Sequence, residues 1–574
     1  MSVRTVVDGL ATWWPGTVDP DPELDGALAY LESGVDAEPL ERAARVVTAV
    51  VVAVAIGLGA AVGTVTSTTT GVAVASALAA VGVGVPVLAN HGPRWLATMA
   101  RTRALGSAAA LVGRAALRLR VEPAVEPAAV FAAESGTSAL ARSLEGHVER
   151  ATGAPRSGIE RFAREWSDRF PALSRAVSRL EAAASAPASE RDRHLDRAVD
   201  AALDGVREEL ASFTSEIRGA VTGLYAFGIL LPLALIGVLP AANAAGAQLS
   251  LPVIVALYDV VLPVAVLVAS AWLLARRPVA FPPPRVGHDH PNTPDGRVHA
   301  VIGGVLGGAA GAAGAARLIE PWTAPVAAVG LGVGTALVID TRAAMRVHER
   351  VRAVETDLDD ACYLVGRRVA AGEAVEAALA DTAEQITGAT GAVLADAVKR
   401  HRCLGLTVGE AFDGEHGALA TLPSRRSTEV ANLFALAATE GRPAGEALVA
   451  TAEHLEELRR VEREARRELS KLTDTLTNTA AMFGPIVGGA TVALSGRVAR
   501  TGTTAQFGGA PLPAAELGIA VGAYVLWLAV ALTVLSTGLT RGLDRMLVGH
   551  RVGVTLCLAT VCYLAAYVGA GLFL

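Results

Sequence analysis

Long apolar runs constrain this chain more than any other feature of its sequence. Each run is about 17–25 residues long, the length at which an α-helix crosses the hydrocarbon core of a bilayer. The pattern predicts nine spans, at about residues 45–65, 70–90, 217–240, 251–275, 299–316, 323–340, 473–496, 515–537 and 552–574. The pair 299–316 and 323–340 is rich in Gly and Ala and barely long enough, so one buried hairpin is the alternative there.

Composition excludes several classes of protein. Of the 574 residues, 52% are hydrophobic and only 18% are charged, which excludes a purely soluble globule and a disordered chain. Fifty-six acidic and fifty basic residues leave a net charge of −6, so we expect no nucleic-acid partner. The four cysteines form no close CxxC or CxH pair, and we therefore expect no metal site and no cofactor.

Arginine is distributed unequally between the two sides of the predicted spans. Because basic residues accumulate in cytoplasmic loops, the asymmetry sets the orientation. It places the N-terminus and both large polar blocks, about 91–216 and 341–472, in the cytoplasm and Leu574 outside. Arg317, Arg497 and Arg500 lie on the opposite side from the majority, which comprises Arg42, Arg45, Arg94, Arg101, Arg103, Arg276, Arg277, Arg297, Arg342, Arg346, Arg541, Arg545 and Arg551.

The order span–span–polar block–span–span occurs twice, which predicts a tandem duplication with a ninth span added. A unit with four crossings returns to its starting side, so both copies face the same way, unlike inverted transporter repeats. The matching segments are Leu111–Arg114 with Leu364–Arg367, both Leu-Val-Gly-Arg at an offset of 253; Phe227-Gly228 with Phe483-Gly484 at 256, beside Pro232 and Pro485; and Tyr258 with Tyr524 at 266.

The predicted fold is an all-α membrane protein with about nine transmembrane helices and two cytoplasmic helical-bundle domains. Its segments are a cytoplasmic N-terminal segment (1–44), helices 1–2 (45–90), a first, degenerate bundle (91–216), helices 3–4 (217–275), a Pro-rich linker (276–298), helices 5–6 (299–340), a second bundle (341–472) and helices 7–9 (473–574).

The second polar block is predicted to consist of short helices broken by glycine. Three breaks look alike, each a glycine followed by a glutamate that favours the first turn of a helix: Gly372-Glu373, Gly409-Glu410 and Gly445-Glu446. After the last break, a stripe of apolar residues with charged flanks predicts a long helix to Lys471 that continues into the seventh span. Some 50 residues of helix would reach roughly 75 Å.

These features resemble the F-domain membrane protein of type II secretion, which is the assembly-platform protein of type IV pili, archaella and Tad-type systems. The two-copy layout is most similar to the archaeal form. The first unit matches only in layout, in Leu111–Arg114 and in its closing helix. In the second unit the resemblance is carried by residues 364–373, 405–412 and 438–445 and by the helix that ends at Phe483-Gly484-Pro485.

The resemblance implies a protein that binds a cytoplasmic secretion or pilus ATPase and prepilin-like subunits, sits in the lipid bilayer and works as a homo-oligomer. Motifs for independent catalysis are absent from the sequence. The chain has two lysines, Lys399 and Lys471, and neither lies in a P-loop; there is also no GxSxG elbow or HExxH helix. We therefore expect no enzymatic activity. The candidate structural and partner-coupling residues are Gly372, Glu373, Gly409, Glu410, Glu440, Gly441, Gly445, Glu446 and Pro485.

One charged residue falls inside a predicted span. Asp259 lies in the fourth span, where a carboxylate is costly and often functional. It could lock two helices together as a paired or protonated acid, or it could belong to a polar pathway. A polar pathway would suit the alternative function, a multi-span transporter with cytoplasmic regulatory bundles.

The predicted orientation can be checked with reporter fusions. Alkaline phosphatase fused after a residue near 150 or near 420 should be inactive, because that enzyme needs an oxidising compartment for its disulfides. Green fluorescent protein at the same two points should fluoresce. Opposite results at the two points would overturn the parallel duplication.

Overall fold

In a computed structural model, every element among the described residues is helical. The description covers residues 3–573 apart from 17, 19–20, 32–33, 66–84, 87–88, 98–106, 135–137, 152–156, 168–169, 245–250, 278–285, 287–289, 292, 294–295 and 501–512. The helices before the first bundle include α1 (Val3–Ala11), α2 (Pro22–Tyr30) and α3 (Ala37–Val65), and residues 89–97 are also helical.

The first bundle packs around leucine, alanine and aromatic side chains. Leu111, Phe162 and Leu173 are almost fully buried in its core. Its helices are short because proline, glycine and serine punctuate the sequence; Ser157, for example, caps a helix by accepting a hydrogen bond from the Glu160 N–H. The helices are α4 (Ala108–Val121), α5 (Val125–Glu134), α6 (Ala139–Ala151), α7 (Gly158–Glu165) and α8 (Pro171–Ser185).

A long helix leads from the first bundle into the membrane. It consists of α9 (Ala188–Gly223), a π-helical segment (Leu224–Leu230) and α10 (Leu231–Ala244), and we name it the first shaft helix. The next span consists of α11 (Leu251–Val255), a π-helical segment (Ala256–Val261) and α12 (Leu262–Arg276).

The second half begins with a helical hairpin and ends with three long helices. Its elements are α13 (Arg297–Leu318), α14 (Ala324–Thr356), α15 (Leu358–Ala370), α16 (Val375–Gln385), α17 (Ala389–Leu404), α18 (Val408–Asp413), α19 (Arg425–Glu440), α20 (Arg442–Asn478), a π-helical segment (Thr479–Phe483), α21 (Gly484–Arg500), α22 (Ala514–Arg541) and α23 (Arg545–Phe573). From α20 through α21 the helix is continuous, and we name it the second shaft helix.

Seven helices in the described part of the chain are long and apolar enough to cross a membrane, so the protein has the architecture of a multi-pass membrane protein. They coincide with the predicted spans from 217–240 onward, to within two residues where a predicted span extends past the helix. The predicted span 45–65 lies in α3, several of whose side chains are outside the described residues, and most of 70–90 is outside them. The number nine therefore remains a prediction, as does the duplication.

The hairpin of α13 and α14 is not buried. In the most apolar stretch of each helix, only 22% (α13) and 28% (α14) is buried against the rest of the chain. Val301 and Val305 are more than 60% exposed. Both helices have the length to cross. Their contact depends on glycine: a Cβ built on Gly308 would lie 2.9 Å from the Ala328 carbonyl oxygen. Small residues allow such close backbone approach where lipid gives apolar helices no reason to associate.

A π-helical segment precedes a proline at three places in the membrane helices. Pro232, Pro263 and Pro485 are each the second residue of the α-helix that follows the segment. Proline has no N–H and its ring clashes with the carbonyl one turn earlier, so a regular helix is strained there. A π turn shifts the hydrogen-bond partners by one residue, as in the bond from Leu231 N–H to the Ala226 carbonyl, and accommodates the proline.

Pro232 and Pro485 are 253 residues apart, the same offset as the two Leu-Val-Gly-Arg tetrapeptides. The Phe-Gly pairs, at an offset of 256, are therefore out of register with the π–proline feature. The structural match between the two shaft helices lies at the prolines and not at Phe227-Gly228.

We expect Gly489→Ala to lower the stability of the membrane region, because its Cβ would collide with the Tyr563 carbonyl oxygen on α23. The cost of such overpacking is about 1–3 kcal/mol. Gly223→Ala is the control, since a Cβ there has no heavy atom within 4 Å and alanine favours helix by about 1 kcal/mol. Thermal unfolding in detergent should show a lower midpoint for the first variant only.

Candidate functional site

Gly372 and Glu373 form the turn between α15 and α16. Gly372 has a φ of +98°, which favours glycine, and its N–H donates to the Val369 carbonyl oxygen over 2.9 Å. The Glu373 carboxylate accepts a hydrogen bond from Arg368 at 3.3 Å, and the same guanidinium reaches Asp381 at 2.8 Å. Glu373 is therefore occupied in fixing the turn.

Gly409 and Glu410 lie in the first turn of α18, where they position that helix. Thr407 and Glu410 form a capping box: Glu410 N–H donates to the threonine hydroxyl, and the carboxylate accepts from Thr407 N–H over 2.9 Å. These hydrogen bonds lower the pKa of Glu410 below its usual range, since they favour the ionised form. A Cβ on Gly409 would lie 3.2 Å from that of Ala435, so the glycine permits close packing on α19.

The prediction for Gly445-Glu446 is wrong in its position. The pair lies inside α20, not at a break, because the chain turns four residues earlier at Gly441, whose φ is +70°. Pro443, in the first turn, suits a helix start because its missing N–H would have no partner there. Gly445 serves packing instead: a Cβ on it would lie 2.9 Å from the Cα of Ala370.

The three glycine-containing segments lie toward one end of the second bundle. Gly445 packs against Ala370 at the end of α15, two residues before Gly372, and Gly409 packs on α19 five residues before Glu440. We name residues 370–373, 409–410 and 440–446 the distal end. From Gly445 to the start of the predicted seventh span at 473, the helix rises about 42 Å.

Two glutamates at the distal end have carboxylates that make no polar contact with the described part of the chain. Glu440 and Glu446 are exposed, and neither forms a hydrogen bond or an ion pair with the described part of the chain. Glu373 and Glu410, by contrast, are bound to Arg368 and Thr407. Of the four predicted glutamates, these two have exposed carboxylates that the described part of the chain leaves uncontacted.

Pro485 is not part of the distal end. It is buried in the membrane region, 40 residues beyond Gly445 and therefore about 60 Å along the second shaft helix. The helix connects the two predicted sites without bringing them together.

The two bundles contact each other, which the sequence did not reveal in detail. Arg114 Nη1 lies 3.1 Å from Glu429 Oε1, and Arg207 forms an ion pair with Glu457 on the second shaft helix. Val461, on the same helix, is 3% exposed and belongs to the core of the first bundle. No sequence pattern pairs these residues, because ion pairs between helices far apart in sequence depend on how the bundles dock.

Asp259 is half-buried in the π-helical segment of the fourth span, and its carboxylate forms no hydrogen bond or ion pair with any described residue. Its neighbour Tyr258 joins the helices instead: the hydroxyl donates to the Pro232 carbonyl oxygen at 3.0 Å, and the ring stacks edge-on against Tyr524 at 5.4 Å. The two tyrosines that matched in the predicted repeat thus touch each other.

The described residues include no group of three or more His, Cys, Asp or Glu side chains that could hold a metal ion. No known protein family, no curated protein and no solved structure matches the chain. The distal end therefore consists of glycine-containing turns, close helix contacts and two exposed carboxylates.

The identical tetrapeptides provide a matched pair of substitutions. A Cβ on Gly366 would lie 2.9 Å from Val449 N of the second shaft helix, whereas one on Gly113 has no heavy atom within 4 Å. We expect Gly366→Ala to destabilise the second bundle by about 1–3 kcal/mol and Gly113→Ala to be neutral or stabilising. Equal thermal midpoints for the two variants in detergent would contradict the close contact of α15 and α20.

Proposed function

We propose that this chain is the integral-membrane assembly platform of a type IV pilus-like or type II secretion-like machine. In this proposal a cytoplasmic ATPase binds the distal end, and its motion is passed to prepilin-like subunits that are lifted from the bilayer. The chain itself catalyses no reaction, and it works as a homo-oligomer in the cell membrane, with its N-terminus and both bundles in the cytoplasm.

The observation that carries the proposal is the continuity of the second shaft helix. Its described part from Ala444 to Val498 is 55 residues long, so it reaches about 80 Å from the distal end into the membrane. Each turn is hydrogen-bonded to the next, and a displacement applied near Gly445 moves the membrane end as well. A machine that converts cytoplasmic motion into membrane motion needs such an element.

The first shaft helix supports the same proposal. Its part from Ser189 to Val238 is 50 residues long and enters the membrane through its own π-helical segment and proline. The common offset of 253 for the tetrapeptides and the prolines favours two copies of one unit that face the same way. Parallel copies place both bundles on one side, where Arg114 and Glu429 join them.

The alternative, a transporter with cytoplasmic regulatory bundles, is favoured by one observation. Asp259 is an intramembrane carboxylate without a partner among the described residues, as expected of an ion or proton site. Deletion of the gene separates the two functions. A platform mutant should lack surface filaments in electron microscopy and adhere poorly, with normal solute uptake; normal filaments with altered uptake would favour the transporter.

The role of the distal end can be tested by charge reversal. We expect Glu440→Lys and Glu446→Lys, each alone, to weaken association with the ATPase by about tenfold or more, because they place repulsive charge at the interface. Glu384→Lys is the control: Glu384 is also exposed but lies at the other end of α16 from the Gly372 turn. Thermal midpoints should be unchanged in all three variants, and co-purification of the ATPase with each variant measures the association.

Wild-type association and filaments in both distal variants would remove the distal end from the proposal. Loss of filaments in the Glu384→Lys control as well would indicate a general effect of charge reversal on the bundle.

A further inference from the structure

Four arginines meet where the membrane helices join the second bundle. Arg352 is on α14, Arg466 is on the second shaft helix, Arg541 ends α22, and Arg551 follows six residues after the start of α23. We name these residues the arginine cluster. The guanidinium group of Arg541 lies within electrostatic range of the other three, and that of Arg551 lies within range of Arg352.

The packing of α14 against α23 brings these helices together at this level. The Thr341 hydroxyl oxygen is 3.2 Å from His550 Nδ1, and His348 Nε2 is 3.7 Å from Asp544 Oδ1. The two helices therefore run antiparallel, with the start of α23 against the part of α14 that leaves the membrane. Because side chains tilt toward the N-terminus of their helix, Arg352 leans back toward the membrane.

The charge of the arginine cluster is only partly balanced by the described part of the chain. Arg466 pairs with Glu462, which also accepts a hydrogen bond from Arg426 at 2.7 Å. Glu349, Glu355 and Glu462 lie within electrostatic range of Arg352, although it forms no ion pair with them. Neither Arg541 nor Arg551 forms an ion pair with a described carboxylate, although Glu349 lies within electrostatic range of the neighbouring His550, and both arginines are half-buried.

Half-buried like charges repel one another more strongly than exposed ones, because less water screens them. Such an arrangement is stable when an anion lies between the charges. Guanidinium groups match phosphate oxygens in geometry, and their charge-assisted hydrogen bonds are among the strong ones. The cytoplasmic surface of a membrane supplies phosphate groups at this level, and basic pockets between membrane helices bind phospholipid headgroups.

We propose that Arg352, Arg541 and Arg551, with Arg466 at the edge, bind a phosphate group at the membrane surface. The phosphate belongs either to the headgroup of an anionic phospholipid or to a soluble phosphate; the chemistry is shared and the experiment separates the sources. Bound there, the anion would join α14, α22, α23 and the second shaft helix, and so fix the second bundle to the membrane helices. This inference does not depend on the proposed function.

The test compares the purified full-length protein in detergent with two double variants. R541Q/R551Q removes two charges from the arginine cluster. R342Q/R346Q is the matched control, because Arg342 and Arg346 are exposed on α14 near the same membrane boundary. Thermal midpoints and binding are measured with added phosphatidylglycerol, phosphatidylcholine or inorganic phosphate. The same measurements are repeated at about 1 M salt, because salt screens exposed charges while affecting half-buried ones less.

We expect phosphatidylglycerol to raise the midpoint of the wild type and of R342Q/R346Q. For R541Q/R551Q the dissociation constant for phosphatidylglycerol should rise by about 100-fold, which is tenfold for each lost charge-assisted contact. A response to inorganic phosphate alone would identify a soluble phosphate as the source. No response of the wild type to either probe, or equal responses of all three proteins, would overturn the proposal.

The unfolding temperature without lipid distinguishes a loss of binding from misfolding of the variant. If the arginines only repel one another without the anion, R541Q/R551Q should unfold at a higher temperature than the wild type in lipid-free detergent. If they instead hold the helices together through contacts within the chain, the variant should unfold at a lower temperature. R541K/R551K keeps the charge but loses the planar fork, and should bind phosphatidylglycerol with intermediate affinity.

Discussion

The helical continuity of the second shaft helix is the constraint on which the rest of the structure depends. The helix packs through Gly445 on α15, buries Val461 in the first bundle and continues past Pro485 into the membrane. Both bundles and the membrane helices are therefore fixed to one rod. The π-helical segment before Pro485 preserves that continuity where proline would otherwise interrupt the helix.

Close backbone contact is the second organising interaction, and it occurs in water as well as in lipid. Gly445 and Gly366 bring α15 and α20 together in the second bundle, while Gly308 and Gly489 do the same for helices long and apolar enough to cross a membrane. In the bundle the hydrophobic effect also favours association, whereas in lipid the gain comes mainly from packing. Glycine thus permits close helix contact in both settings, although the free energy that favours the contact has a different origin in each.

Much of the fold could be predicted from the length of the apolar runs and the helical periodicity of the segments between them. The apolar runs from 217–240 onward all lie in helices long enough to cross a membrane, and the charged helix after Gly441 does continue into its span. The candidate site was harder to predict. The sequence predicts a turn at Gly445, because local sequence does not distinguish a glycine that turns the chain from one that admits a neighbouring backbone. Arg114 and Glu429 gave no local signal, since their contact forms only when the bundles dock.

The sequence by itself determined the helical class, the membrane-spanning length of its apolar segments and the charge asymmetry of its loops, because these depend on the period and composition of neighbouring residues. Tertiary structure decided which glycines are in contact, which glutamates remain free and where the arginine cluster forms. It also decided that Tyr258, and not Asp259, joins the spans. These features depend on distances between residues far apart in the chain, and only the packed helices set those distances.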